Sequence, residues 1–441
     1  MKYLKIVLVI MLFFSVSMQA QETTEKAENV KTGWNFGLLP VVSYNSDLGF
    51  QYGVLTNFYN YGDGSNFPKY MHSLYAEVSR YTKGSGIYRV FYDSEFLVPK
   101  IRLTADLSYL PDQALDFYGF NGYDAVYDSD FSDDESLYYK TRMFYKHKRN
   151  ILRFKLDFQG KTPVKNLNWA VGYNFMDIQI GAVPIDKLNQ GKDSADMLPS
   201  VNSLYDNYIE WGIIKPEEAT GAMHNSLKLG LVYDTRDNEP CPMKGLWSEL
   251  VLFNSFSSDF TFGKLAATHR QYFTIVDKQL SFAYRIGYQG IVYGDAPFYL
   301  LPYMIYSYMP SSTVDGLGGS KSVRGMIRNR TVGKGNAFAN LEFRYKFVRF
   351  RFIKQNWYAA LNPFLDAGMV VQKIDIDKSN IPNDVFQAQY FATNTETVHL
   401  TYGCGLHLAM NENFVIAADI GLPVKAADGK MGVYIGMNWL F

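Results

Sequence analysis

A period-two alternation of apolar and polar residues recurs from Trp34 to the end of the chain, and it limits the possible folds more than any other feature. Over 430–441, Met431, Val433, Ile435, Met437, Trp439 and Phe441 fall on one face, while Gly432, Tyr434, Gly436 and Asn438 fall on the other. Over 336–350, Leu341, Phe343, Tyr345 and Phe347 alternate with Asn340, Glu342, Arg344 and Lys346. Over 278–291, Phe282, Tyr284, Ile286 and Tyr288 alternate with Ser281, Arg285 and Gln289. Successive side chains of a strand point to opposite faces, so each segment reads as a strand with one apolar and one polar side. A soluble β-sandwich would turn the apolar side to a core, and a membrane barrel would turn it to lipid.

The beginning of the chain favours the membrane. Lys2 and Lys5 precede an apolar run, Ile6 to Phe14, too short to span a bilayer, with Ala20 before Gln21 as the expected cleavage point. Residues 1–20 thus read as a signal peptide for export and 21–33 as a short periplasmic segment. No later apolar run approaches the roughly 20 residues of a spanning helix. With 34 Tyr and 32 Phe the chain carries more aromatic residues than a soluble core requires. A closed barrel is the other structure that pairs every backbone polar group in lipid. Lysine plus arginine equals aspartate plus glutamate at 43 each, which leaves no basic footprint for nucleic acid. Cys241 falls in a turn and Cys404 within a distant strand, so no disulfide is expected.

Sixteen strands are expected, at 34–45, 48–60, 69–82, 85–97, 100–110, 137–159, 166–179, 224–235, 245–257, 261–275, 278–291, 336–350, 354–367, 396–409, 412–421 and 430–441. With 34–60 as a hairpin and 137–159 as one bulged strand, the long connections 111–136, 180–223, 292–335 and 368–395 all fall outside the cell. Turns such as Pro99, Val276-Asp277 and Asn411 fall in the periplasm, the asymmetry of outer-membrane barrels. The fold expected is all-β, a sixteen-stranded antiparallel transmembrane barrel over 34–441.

One outside connection contains Val314-Asp315-Gly316-Leu317-Gly318-Gly319-Ser320-Lys321-Ser322-Val323-Arg324-Gly325-Met326, too rich in glycine for helix or strand. Glu342 and Asp366 recur at inward positions of the next two strands, so the loop is expected to fold into the barrel with Arg324 held by carboxylates.

Several motifs carry a family likeness. Tyr233-Asp234-Thr235-Arg236-Asp237-Asn238, followed by Pro242 and Gly245, resembles the strand-turn-strand motif of the BamA/TamA superfamily of outer-membrane proteins. Gly318 to Gly325 resembles its Val-Arg-Gly loop, and Phe364-Leu365-Asp366-Ala367-Gly368 its Phe-x-Asp-Ala-Gly strand. Phe117-Tyr118-Gly119-Phe120-Asn121-Gly122 and Pro40-Val41-Val42-Ser43-Tyr44 are similar to motifs of the short bacterial surface-antigen members. The resemblance implies a sixth outside loop tucked into the lumen, where Arg324 and Gly325 meet Glu342 and Asp366. It also implies that Phe441, ending an amphipathic last strand, serves as the insertion signal. Assembly members of the family carry periplasmic POTRA domains; with only 21–33 before the barrel, a member without them is expected.

Other residues have plainer readings. Ser320-Lys321-Ser322 lacks the glycine-lysine pair of a phosphate loop. His224 and Ser226 share a strand face, as in a lipid hydrolase, but Leu227, Leu229, Leu231 and Tyr233 claim the lipid face, so the pair points to the lumen or rim. The six histidines show no metal spacing, with His399 and His407 expected to line the lumen. The acidic run 128–135 reads as a solvated outside loop. No enzyme activity, cofactor or metal is expected. The role expected is assistance in inserting or translocating polypeptide or lipid at the outer membrane of a Gram-negative bacterium. The alternative is a passive pore or scaffold, with the hydrolase behind both. Expected partners are outer-membrane lipid and lipopolysaccharide, a client polypeptide or separate periplasmic protein, and, for a passive barrel, further copies of the chain.

Overall fold

The computed structural model describes residues 30–45, 49–67, 69–82, 84–308, 316–353, 355–410 and 414–441; the signal-peptide reading lies outside them. Sixteen strands follow one another: β1 (Trp34–Asn45), β2 (Gly49–Asn60), β3 (His72–Tyr81), β4 (Gly86–Val98), β5 (Ile101–Asp116), β6 (Lys146–Lys161), β7 (Leu167–Gly181) and β8 (Met223–Asp234). Then come β9 (Gly245–Phe256), β10 (Thr261–Val276), β11 (Leu280–Gly294), β12 (Gly335–Phe352), β13 (Gln355–Gln372), β14 (His399–Met410), β15 (Phe414–Pro423) and β16 (Gly432–Met437). They form one antiparallel sheet in sequence order, with β1 and β16 at its edges. Contacts across its interior, such as Glu239 of the turn after β8 on Arg102 of β5 and Arg344 of β12 on Phe441, bring its distant parts together.

Alternation decides the two surfaces. Leu227, Leu229 and Leu231 of β8 are exposed, while His224, Ser226 and Lys228 between them are buried. Tyr402 and Leu406 of β14 are exposed, while His399 and His407 are fully buried toward the lumen. Apolar side chains meet lipid and polar ones line an interior that the outside loops fill. Phe117, Phe120, Phe144, Tyr208, Trp211 and Phe391, drawn from three of these loops, pack into one buried cluster that caps the barrel.

The structure shifts several expected boundaries, three of them with a visible cause. Residues 137–145 form no strand; β6 begins at Lys146. Met143, Phe144 and Tyr145 are buried consecutively, which no half-exposed strand allows, and Phe144 packs edge-on to Phe131 in the cap. β5 continues to Asp116, past Pro111, because a register shift between Asp112 and Leu115 accommodates the irregular stretch. The last strand stops at Met437. Asn438 adopts φ 67, and the chain turns inward, burying Trp439. Trp439 and Phe441 therefore do not continue the lipid-facing row of Val433 and Ile435.

Candidate functional site in the barrel lumen

The sixth outside loop (295–334) enters the lumen along a wall that grips its backbone. Lys264 of β10 donates to the carbonyls of Leu301 (2.8 Å) and Tyr303 (2.7 Å). The Gln289 side chain of β11 bonds both the N–H and the C=O of Ile305, each at 2.7 Å. Lys228 of β8 donates to Tyr306 O (3.1 Å) and Ser307 O (3.0 Å), and Glu249 of β9 accepts from Ser307 N (2.8 Å). Backbone groups removed from water thus find partners in strand side chains.

On the returning arm sits Arg324, with no exposed surface. Its Nε and Nη2 donate to Asp366 of β13 at 2.8 and 3.0 Å, a bidentate pair, and its backbone N–H donates to the same carboxylate at 3.0 Å. Nη1 lies 2.9 Å from Glu342 of β12, an ion-pair contact not aligned as a hydrogen bond. The guanidinium also stacks 3.5 Å from the Phe364 ring centroid. Glu342 is shared, since Arg344 donates to it at 2.9 Å. Asp419 of β15 adds a third carboxylate 4.0 Å from Arg324 Nη1, and in so dry a volume losing one partner would leave a buried charge uncompensated.

Gly325 follows with φ +92, and a Cβ there would fall 2.6 Å from the backbone of Gly421 in β15. Its N–H donates to the hydroxyl of Tyr434 in β16 (2.9 Å). The loop therefore touches β12, β13, β15 and β16 within two residues. Tyr434 and Gly421 escaped the sequence reading as site residues, although alternation does put Tyr434 on the inward face.

The motif after β8 builds a tight structure at the periplasmic end. Asp234 accepts from Arg236 Nε (3.0 Å) and Nη2 (2.7 Å), and Arg236 lies 4.4 Å from the Trp247 ring. Asp237 accepts from the N–H groups of Met243 (3.0 Å) and Lys244 (3.2 Å), closing the turn. Gly245 has φ +95, and a Cβ there would lie 2.2 Å from Thr235 O, so only glycine fits. Phe441 joins the lumen site through Arg344, whose Nη2 donates to its main-chain oxygen at 2.5 Å, with its ring 4.9 Å from the Arg344 guanidinium and 5.2 Å from that of Arg285.

His224 and Ser226 are buried on the lumen side. His224 contacts Tyr299 (3.0 Å) and Ser255 (3.3 Å), and Ser226 donates to Ser255 (3.2 Å). They face away from lipid, with the serine bonded to another serine rather than to the imidazole. Cys241 and Cys404 are both free.

A sixteen-stranded antiparallel sheet around an inward loop pinned by an arginine defines an outer-membrane type of β-barrel. The chain belongs to the Omp85 superfamily: the Omp85 superfamily domain matches residues 72–439. Its fold is similar to that of BamA from Haemophilus ducreyi lacking POTRA domains 1–3, at 13% identity and a TM-score of 0.50, over 92% of this chain and 69% of that one. It is also similar to CdiB from Escherichia coli, at 10% identity and a TM-score of 0.51, over 93% of this chain and 62% of that one. The chain thus spans less than two thirds of the CdiB chain. No curated protein sequence matches it. The protein is an outer-membrane β-barrel of a Gram-negative bacterium, and its superfamily supports a role in insertion or translocation there.

Proposed function

We propose that this barrel assists insertion or translocation of polypeptide or lipid through a weak seam between its first and last strands. The observation that carries this reading is the shortness of β16, which pairs with β15 only over Gly432–Met437, whereas β1 pairs with β2 over its whole length, Trp34–Asn45. Gly432 and Gly436 bring no side chains to the last strand; Tyr434 lies over Gly432, and a Cβ at Gly436 would meet nothing. A short, glycine-bearing edge offers few backbone bonds to hold the cylinder shut, so the seam opens at small cost or thins the bilayer beside it. The client is a polypeptide or lipid, delivered with or without a periplasmic partner.

The passive pore is the competing reading, and the aromatic cap with the buried sixth loop weighs against it. Cysteines placed across β1 and β16 and oxidised to a disulfide test the proposal. Locking the seam should deplete the outer-membrane proteome as deletion of the gene does. An unchanged proteome with the seam locked would sink it. Steady planar-bilayer conductance with no proteome effect would favour the pore.

A further inference from the structure

The turn between β8 and β9 (235–244) does more than join two strands. Asp237 and Gly245 close its base, and its tip reaches opposite walls of the barrel. On one side Glu239 lies 2.9 Å from Arg102 at the periplasmic start of β5, an arginine that Asp93 of β4 also holds, through contacts of 2.8 and 2.6 Å. Tyr308 of the sixth loop stacks on the same guanidinium at 4.3 Å. On the other side Cys241, only 2% exposed, packs in one cluster with Tyr358 and Ala360 of β13, Ala409 of β14, Val415 of β15 and the inturned Trp439. From its base at β8 and β9 the turn therefore spans the mouth from the β5 wall to the β13–β15 wall.

We propose that this turn is a lid over the periplasmic mouth of the lumen, latched by Glu239 on Arg102 and by Cys241 against Trp439. The two latches differ in strength. Glu239 keeps 37% of its side-chain surface exposed, and Arg102 retains its bidentate pair with Asp93 when Glu239 leaves, so this latch releases without stranding a charge. The cluster around Cys241 is apolar and buried, and it is complete only while Trp439 stays folded inward. Anything that draws Trp439 outward also frees the lid, which couples access to the lumen with the state of the last strand. The lid does not depend on what the barrel transports.

Thiol labelling tests this. The chain has two cysteines, so Cys404→Ser leaves Cys241 as the single thiol of the full-length protein in nanodiscs. A polyethylene-glycol maleimide, too wide for a closed mouth, should label it slowly. Glu239→Lys, which sets a lysine against Arg102, should speed labelling roughly fivefold with the unfolding temperature of the barrel unchanged. Trp439→Ala should speed it further. The lid is refuted by any one of three results: Cys241 labelling at the rate of a free thiol before any latch change, a rate unmoved by Glu239→Lys, or rates that rise only as the barrel itself loses stability.

Discussion

Gly325 and Gly421 meet backbone to backbone: a Cβ built on either would lie 2.6 Å from a main-chain atom of the other. The returning arm of the sixth loop thus lies directly on β15, with no room for a side chain between them. That closeness lets Arg324, one residue earlier, reach Asp366 with both its guanidinium and its own N–H.

Gly421→Ala should displace the loop from the wall and destabilise the folded barrel by about 1–3 kcal/mol. Gly325→Ala should cost more, because it adds backbone strain at φ +92 to the same clash. The temperature at which the folded, fast-migrating band disappears on a detergent gel checks both.

Asp366→Asn should be the most damaging single change in the lock, on the order of 3–5 kcal/mol, since it leaves a buried guanidinium without its main counter-charge. Glu342→Gln should spare Arg324, which keeps its bidentate pair, and instead leave the buried Arg344 without its carboxylate. A double-mutant cycle of Arg324→Ala with Asp366→Ala should show strong coupling; additive losses would mean the pair contributes nothing of its own.

Tyr434→Phe removes only the acceptor of the Gly325 N–H. It should cost about 1 kcal/mol and raise amide exchange selectively in β16. An unchanged exchange pattern would show that the loop does not support the last strand.

The outer cap should loosen in acid. Asp124, in the connection after β5, contacts Lys373 at 2.5 Å and accepts from Thr395 N at 2.8 Å. Burial alone would raise its pKa, but the Lys373 ammonium and these backbone amides outweigh that and hold the carboxyl below the usual aspartate range. A depressed folded-state pKa contributes stability above the unfolded value, near 4, that is lost as pH falls through the folded one. Protease cleavage within 373–398 should therefore rise below about pH 4, and Asp124→Asn should give the same cleavage at neutral pH.

Much of the barrel was legible in the sequence because alternation is a local property. The sixteen segments and the inward positions of Glu342 and Asp366 follow from counting by twos. The ends were less legible. Phe144 and Tyr145 continue an apolar pattern yet serve the cap, and Trp439 keeps the parity of Val433 and Ile435 yet turns inward after Asn438. Nothing local distinguishes a residue that faces lipid from one that faces packed loops. The partnership of Glu239 with Arg102 was invisible for a different reason: it joins a turn to a strand far away in sequence, and only closure of the cylinder brings them together.

Much of the grip on the descending arm of the sixth loop falls on its peptide groups: Lys264, Lys228 and Gln289 all bond main-chain atoms. These three contacts measure length and are blind to composition. Substitutions among residues 301–307 that keep the path would pass unnoticed by these three side chains. Removing a single residue there would shift every carbonyl out of step and release the whole arm at once.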